Sequence, residues 1–147
     1  MKILFVCTGN SCRSPMAHAM AQDIIGRLGH EIKADSAGIY PGAGSASPHA
    51  QKIMAEMGLD LSNHKTASVN DYNMDEYHLI LTMTQAHKNH IAALLGDVDE
   101  KLYTLGEYIG VDGDISDPFG GDEEEYRQCA MQIKSLLELA IPKIVEK

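Results

Sequence analysis

A cysteine and an arginine, separated by five residues, stand in the stretch Val6-Cys7-Thr8-Gly9-Asn10-Ser11-Cys12-Arg13-Ser14-Pro15. A loop of that length can curl so that several backbone N–H groups point inward. Gly9 removes a Cβ where the chain must turn, and Asn10 tolerates a left-handed φ. Arg13 offers a planar fork that matches two oxygens of a phosphoryl group. Thr8, Ser11 and Cys12 complete the lining of such a cradle. The positive field of Arg13 and of a helix N-terminus favours the reactive thiolate form of a cysteine, and Ser14 can donate a hydrogen bond to the Cys7 sulfur. A thiolate beneath a bound phosphoryl group is an in-line nucleophile, so the chemistry these residue types suit is phosphoryl transfer through a phosphocysteine.

The leaving group then needs a proton. Asp117-Pro118-Phe119 lies late in the chain, and Pro118 stiffens the turn that presents Asp117. Asp117 is the candidate general acid and, for the second step, general base. Asp112 and Asp114 compete for this role, and spacing alone leaves them open.

These residues need a scaffold to bring them together. Lys2–Val6 reads as a short buried strand that delivers Cys7 to its end. Ser14 as N-cap and Pro15 at the first helical position read as the start of a helix over 14–28. Its apolar stripe is Met16, Ala17, Met20, Ile24 and Leu28, and Gly29 is its stop. A second strand is expected over Glu31–Asp35, then a Gly/Pro/Ser-rich loop over 39–48. Ser47-Pro48 starts a second helix to about Met57, stopped by Gly58. Residues 59–74 are polar and turn-rich. His78–Met83 reads as the third strand, and Thr84 caps a helix over about 85–95, on which His87 and His90 read as surface residues. Lys101–Leu105 is the fourth strand, followed by a long acidic loop over Tyr108–Gly121. A last helix over 122–146 opens on Glu123–Glu125, which suits a helix N-terminus, and Pro142 is expected to kink or end it. Cys129 reads as a core residue of that helix. The alternation predicts an α/β domain, a doubly wound parallel sheet covering residues 1–147 as one unit, with its ligand at the carboxyl ends of the strands.

Composition narrows the function classes. The chain of 147 residues carries 12 Lys and Arg against 21 Asp and Glu, a formal net charge of −9. That balance disfavours nucleic acid and anionic membranes as partners. No stretch approaches a membrane span, and Met1-Lys2 leads into a strand without a signal-peptide pattern, so a cytoplasmic location is expected. Three cysteines, with no paired C-x-x-C, argue against a disulfide scaffold or a structural zinc site.

Taken together, the Cys7–Arg13 loop, Asp35-Ser36-Ala37-Gly38 and Asp117-Pro118-Phe119 resemble the low-molecular-weight protein-tyrosine-phosphatase family over essentially the whole chain. The resemblance implies a four-stranded parallel sheet and a two-step hydrolysis without metal or cofactor. It gives Cys7 the nucleophile role, Arg13 the phosphate-binding and transition-state role, and Asp117 the general-acid role. It implies a buried polar network of Asn10, Ser14, Ser36 and His64 that shapes the loop, and a reversible disulfide between Cys12 and Cys7. Within the family, Thr8-Gly9-Asn10 and Asp117-Pro118-Phe119-Gly120-Gly121 are most similar to the bacterial protein-arginine phosphatases. Ser11 departs both from the threonine usual in that branch and from the larger aliphatic residue usual in the phosphotyrosine enzymes. A small polar residue there leaves room for a guanidinium. Tyr40 and Phe119 are the expected aromatic walls of the entrance.

The expected substrates are therefore phosphorylated proteins, with a lean to phosphoarginine over phosphotyrosine, inorganic phosphate as product, and action as a monomer. Thioredoxin-coupled arsenate reductases share a similar loop but need two further cysteines near the end of the third strand, and residues 78–100 contain none. A phosphopeptide-binding module would have no use for Asp117.

Overall fold

The computed structural model of the protein describes residues 1–42, 44–96 and 100–146; Ala43, in the expected Gly/Pro/Ser-rich loop, lies outside them. Four parallel strands form one sheet: β1 (Lys2–Cys7), β2 (Lys33–Gly38), β3 (Leu79–Thr82) and β4 (Leu102–Thr104), in the order β2-β1-β3-β4. The helices are α1 (Arg13–Arg27), α2 (Pro48–Glu56), α3 (Gln85–Leu95), the single turn α4 (Leu105–Tyr108) and α5 (Glu123–Val145).

β1 is buried on both faces, and its side chains alternate between two cores. Ile3 and Phe5 pack with Met16 and Ile25 of α1, Ile53 of α2 and Ile133, Leu137 and Ile141 of α5. Leu4 and Val6 face the other way, with Ile80, Leu102 and Ile91 of α3. The chain leaves β1 in one direction for β2 and in the other for β3. The crevice beyond the carboxyl end of β1, where such sheets bind ligands, therefore opens at Cys7.

Four expectations need correction. The second strand runs over Lys33–Gly38 rather than Glu31–Asp35, because it pairs with the whole of β1, from Lys2 opposite Lys33 to Cys7 opposite Gly38. The first helix starts at Arg13, with Cys12 at the cap position making no side-chain cap bond. Ser14 is thus not the N-cap, and its hydroxyl is used elsewhere. Leu28 is exposed, whereas Ala21 and Ile25 are buried, so the stripe of α1 turns away from Leu28 at its last turn. Pro142 does not end α5: the helix continues to Val145. This close to the C-terminus, the missing N–H forfeits one bond of the ladder.

Other signals behave as read. Gly29 and Gly58 take positive φ just beyond α1 and α2. Ser47 and Thr84 cap α2 and α3 through their side chains, and Asp122, which the sequence reading did not single out, does the same for α5. Cys129 is buried in the α5 core. Among the described residues no helix is long and apolar enough to cross a membrane.

Candidate active site

The loop between β1 and α1 is held from outside by its carbonyls. Cys7 O accepts from Ile39 N (3.0 Å), Thr8 O from Tyr40 N (2.8 Å), Gly9 O from Gly42 N (2.9 Å) and Ser11 O from Ser47 N (2.9 Å). Asn10 O accepts from His64 Nε2 (2.8 Å), and Cys12 O from Met16 N (3.3 Å). Every carbonyl from Cys7 to Cys12 is therefore turned outward onto a partner. In a trans peptide the following N–H points the opposite way, so the N–H groups of residues 8–13 converge inward. Such a ring of amides at a helix N-terminus is an anion cradle.

Asn10 is the pivot of that curl. It is the one non-glycine residue at positive φ among those described (φ 56°). Its amide spans the turn: Oδ1 accepts from Ala67 N (3.0 Å), and Nδ2 donates to Ser14 Oγ (2.8 Å). Because Asn10 donates to Ser14, the Ser14 hydroxyl keeps its own proton to give, with the Cys7 sulfur 3.0 Å away and the Ala37 carbonyl at 3.5 Å as its acceptors. His64 supports the loop at the Asn10 carbonyl, which fixes Nε2 as its protonated nitrogen. Ser36 is buried on β2, and its carbonyl accepts from the Tyr72 hydroxyl (3.3 Å).

Arg13 is buried and leaves one nitrogen unclaimed. Nη1 donates to Ile115 O (2.8 Å) and Nη2 to Thr8 Oγ1 (3.3 Å), with Asp117 Oδ2 at 3.6 Å from Nη2. Nε is buried with no protein partner among the described residues. A buried guanidinium N–H is costly to leave unpaired, so its natural complement is an anion in the cradle.

The cavity in front of the loop is about 230 Å³ and is lined by Cys7, Thr8, Gly9, Ser11, Cys12, Arg13, Gly42, Asp117 and Phe119. Of the three candidate carboxylates, only Asp117 reaches it. Its Oδ1 accepts from Phe119 N (3.0 Å) across Pro118, which fixes the turn. Asp114 instead accepts from Gln85 N at the start of α3 (2.9 Å), and Asp112 is exposed outside the cavity. Phe119, 76% exposed, stands at the mouth. Tyr40 does not line the cavity; its exposed ring lies edge-on to His90 of α3, with centroids 6.1 Å apart.

Cys7 and Cys12 are free thiols. The Cys12 sulfur lies 3.2 Å from the Tyr126 hydroxyl of α5. Burial and the Cys12 contact push the Tyr126 hydroxyl up to about 12, so it remains protonated and can donate to that sulfur. Behind the Asp117 turn, Cys129 lies 3.8 Å from Ser116 O, and burial pushes its thiol up to about 12.

One functional contact has no counterpart in the expectations. His87 is buried, not on the surface, and its Nε2 lies 2.8 Å from Thr8 Oγ1. The signal for it is topological: α3 leaves β3 beside β1, so its first turn must land against the Cys7 loop. His90, three residues on, keeps the expected outer position, at the edge of Tyr40.

The family model described as low molecular weight phosphotyrosine protein phosphatase matches residues 2–147. The chain is 41% identical over 139 residues to the protein-arginine-phosphatase of Bacillus subtilis, covering 93% of this chain and 92% of that one. It is 40% identical over 139 residues to the low molecular weight protein-tyrosine-phosphatase PtpB of Staphylococcus haemolyticus, covering 93% and 95%. Among solved structures, it superposes with a TM-score of 0.94 on the YwlE arginine phosphatase, a cysteine-to-serine mutant with a phosphorylated active-site serine. There the identity is 37%, over 100% of this chain and 97% of the other.

Proposed function

The chain belongs to the low molecular weight phosphotyrosine protein phosphatase family, and from that premise we propose that it hydrolyses phosphorylated protein side chains through a phosphocysteine on Cys7, with phosphoarginine preferred. The observation that carries the reading is that the Cys7 sulfur, the Arg13 guanidinium and the Asp117 carboxyl group line one cavity.

The phosphoryl oxygens sit in the amide ring of residues 8–13, with Arg13 Nε and its free N–H positions completing the cradle. Cys7 attacks phosphorus in line. The P–N bond of phosphoarginine, or the P–O bond of phosphotyrosine, breaks as the S–P bond forms, and Asp117 gives its proton to the departing nitrogen or oxygen. Water then enters, loses a proton to Asp117 and attacks the phosphocysteine. Inorganic phosphate leaves and the Cys7 thiolate is restored. Ser14 donates to that sulfur each time it becomes the leaving group. Asn10 and His64 keep the loop in shape, and Cys12 and Thr8 belong to the cradle wall.

Ser11 supports the arginine preference. It lines the cavity with a small hydroxyl-bearing side chain, which leaves space for a planar guanidinium beside Phe119. The similarity to the B. subtilis protein-arginine-phosphatase points the same way, and the similarity to PtpB supports phosphotyrosine as the second reading. The reduced cytoplasm suits a site that works through free Cys7 and Cys12.

A paired assay on one protein substrate, phosphorylated on arginine or on tyrosine, tests the preference. The expected result is faster turnover of phosphoarginine, and a shift toward phosphotyrosine in Ser11→Ile. A ten-fold preference of the unaltered enzyme for phosphotyrosine would overturn the lean.

A further inference from the structure

We infer that His87 is a positioning residue of this site: it anchors the Thr8 hydroxyl so that the oxygen of Thr8 holds the Arg13 guanidinium in register with the phosphoryl group. The chain of contacts runs His87 Nε2 to Thr8 Oγ1 at 2.8 Å, then Thr8 Oγ1 to Arg13 Nη2 at 3.3 Å.

Three observations carry it. First, hydrogen-bond arithmetic leaves Thr8 dependent on a second partner. Arg13 only donates, so at 3.3 Å it takes one lone pair of Thr8 Oγ1 and leaves the other lone pair and the hydroxyl proton open. The shorter His87 contact, 2.8 Å, is the second point that holds this oxygen, and in either neutral tautomer of the ring a Thr8 lone pair remains for Arg13. Second, His87 is a poor choice if it merely fills space. It is 6% exposed, and its Nδ1 is buried with no partner among the described residues. A leucine or methionine would fill similar volume without an orphaned nitrogen, whose burial is costly. Third, the ring is held neutral. Burial, and then the Arg13 charge, push His87 down to about 4, against the opposing pull of Asp114 and Asp117. A neutral ring can brace Thr8 without repelling the guanidinium that Thr8 holds.

The first turn of α3 is placed to do this. Thr84 caps it by accepting from His87 N (3.2 Å), and Asp114 accepts from Gln85 N. The same turn therefore ties the phosphate loop, through His87, to the segment that carries Asp117.

The test compares the wild-type protein with His87→Ala, His87→Gln, His87→Asn, Thr8→Val and the Thr8→Val/His87→Ala pair. The readouts are kcat and KM on an aryl phosphate, the affinity for inorganic phosphate by calorimetry, and thermal melting. Glutamine can carry an amide to the place of Nε2, whereas asparagine ends near Nδ1. The expected result is a loss of about ten- to a hundredfold in kcat/KM for His87→Ala, mainly in kcat, with weaker phosphate binding. Gln restores most of it, Asn does not, and the double variant is no worse than Thr8→Val. A folded His87→Ala with wild-type kcat and phosphate affinity would overturn the inference, as would a double variant whose loss is the product of the single losses. If His87→Ala does not fold, equal activity in the Gln and Asn variants overturns it. The kinetic arm rests on the phosphatase reading. If the wild type hydrolyses no phosphorylated substrate, that reading falls, and phosphate calorimetry across the same variants decides on His87 by the same pattern.

Discussion

A Cβ built on Gly38 would lie 2.7 Å from the carbonyl oxygen of Thr8 and 2.9 Å from the amide nitrogen of Asn10. Gly38 is the last residue of β2, opposite Cys7, and the phosphate loop folds directly over it. The obstacle is backbone on the loop side, so no side chain can swing away to make room. Gly38→Ala is therefore expected to push the loop off its curl, at a cost of about 1–3 kcal/mol in stability from overpacking. The inward amides lose their convergence with it, so phosphate should bind less tightly than the loss of stability alone implies. Competitive inhibition by inorganic phosphate, measured on protein kept well below its melting temperature, checks this; wild-type phosphate affinity in Gly38→Ala would refute it.

Stability is expected to fall as pH drops from about 6.5 to about 4. His87 is pushed down to about 4 in the folded protein, while the unfolded chain takes up that proton near 6.5. Between those values the unfolded state binds more protons, so the folded state loses ground as the pH falls. His18 is also lowered, chiefly by burial, and acts with the same sign. The groups facing His87 are Arg13 from α1, Asp114 and Asp117 from the segment before α5, and His90 on its own helix. Urea unfolding at a series of pH values should show this slope, and His87→Gln should flatten it. An unchanged slope in the variant would assign the acid sensitivity to other groups.

What the sequence makes legible is what is local. β1, the loop and α1 follow one another without interruption, so the cysteine, the turn residues and the arginine can be read in one pass. Asp117 is recognisable because Pro118 and Phe119 define its own turn. Ser14 looks like a cap, but the curl of its own loop draws its hydroxyl to Asn10 and Cys7. Two further misreadings share a cause, which is a partner distant in the chain. The second strand reads as ending at Asp35, but pairing with β1 carries it on through Ser36, Ala37 and Gly38. His87 looks like a surface residue of a polar helix, and only the sheet order brings it to Thr8.

Asp117→Asn should separate acid catalysis from positioning. Asparagine keeps an oxygen for the Phe119 N–H, so the turn at Pro118 is preserved, but it has no proton to give. Aryl phosphates with poor leaving groups should slow by about 10²–10⁴-fold, and those with good leaving groups far less. A plot of rate against leaving-group pKa is the measurement. An equal loss across the series would assign Asp117 to binding rather than to proton transfer.

Mild peroxide should inactivate the enzyme reversibly, because Cys12 and the nucleophile share the wall of one small cavity. Peroxide converts the Cys7 thiolate to a sulfenic acid. The Cys12 sulfur then attacks it, forming the disulfide with loss of water, and a dithiol restores both thiols. The hydrogen bond from the Tyr126 hydroxyl opposes this by holding the Cys12 sulfur toward α5. Tyr126→Phe should therefore speed disulfide formation, and Cys12→Ser should make the loss of activity irreversible as Cys7 is driven on to sulfinic acid. Mass spectrometry of the oxidised protein reads the outcome. Full recovery of Cys12→Ser with a dithiol after prolonged peroxide, or no Cys7–Cys12 linkage in the wild type, would refute the protective role.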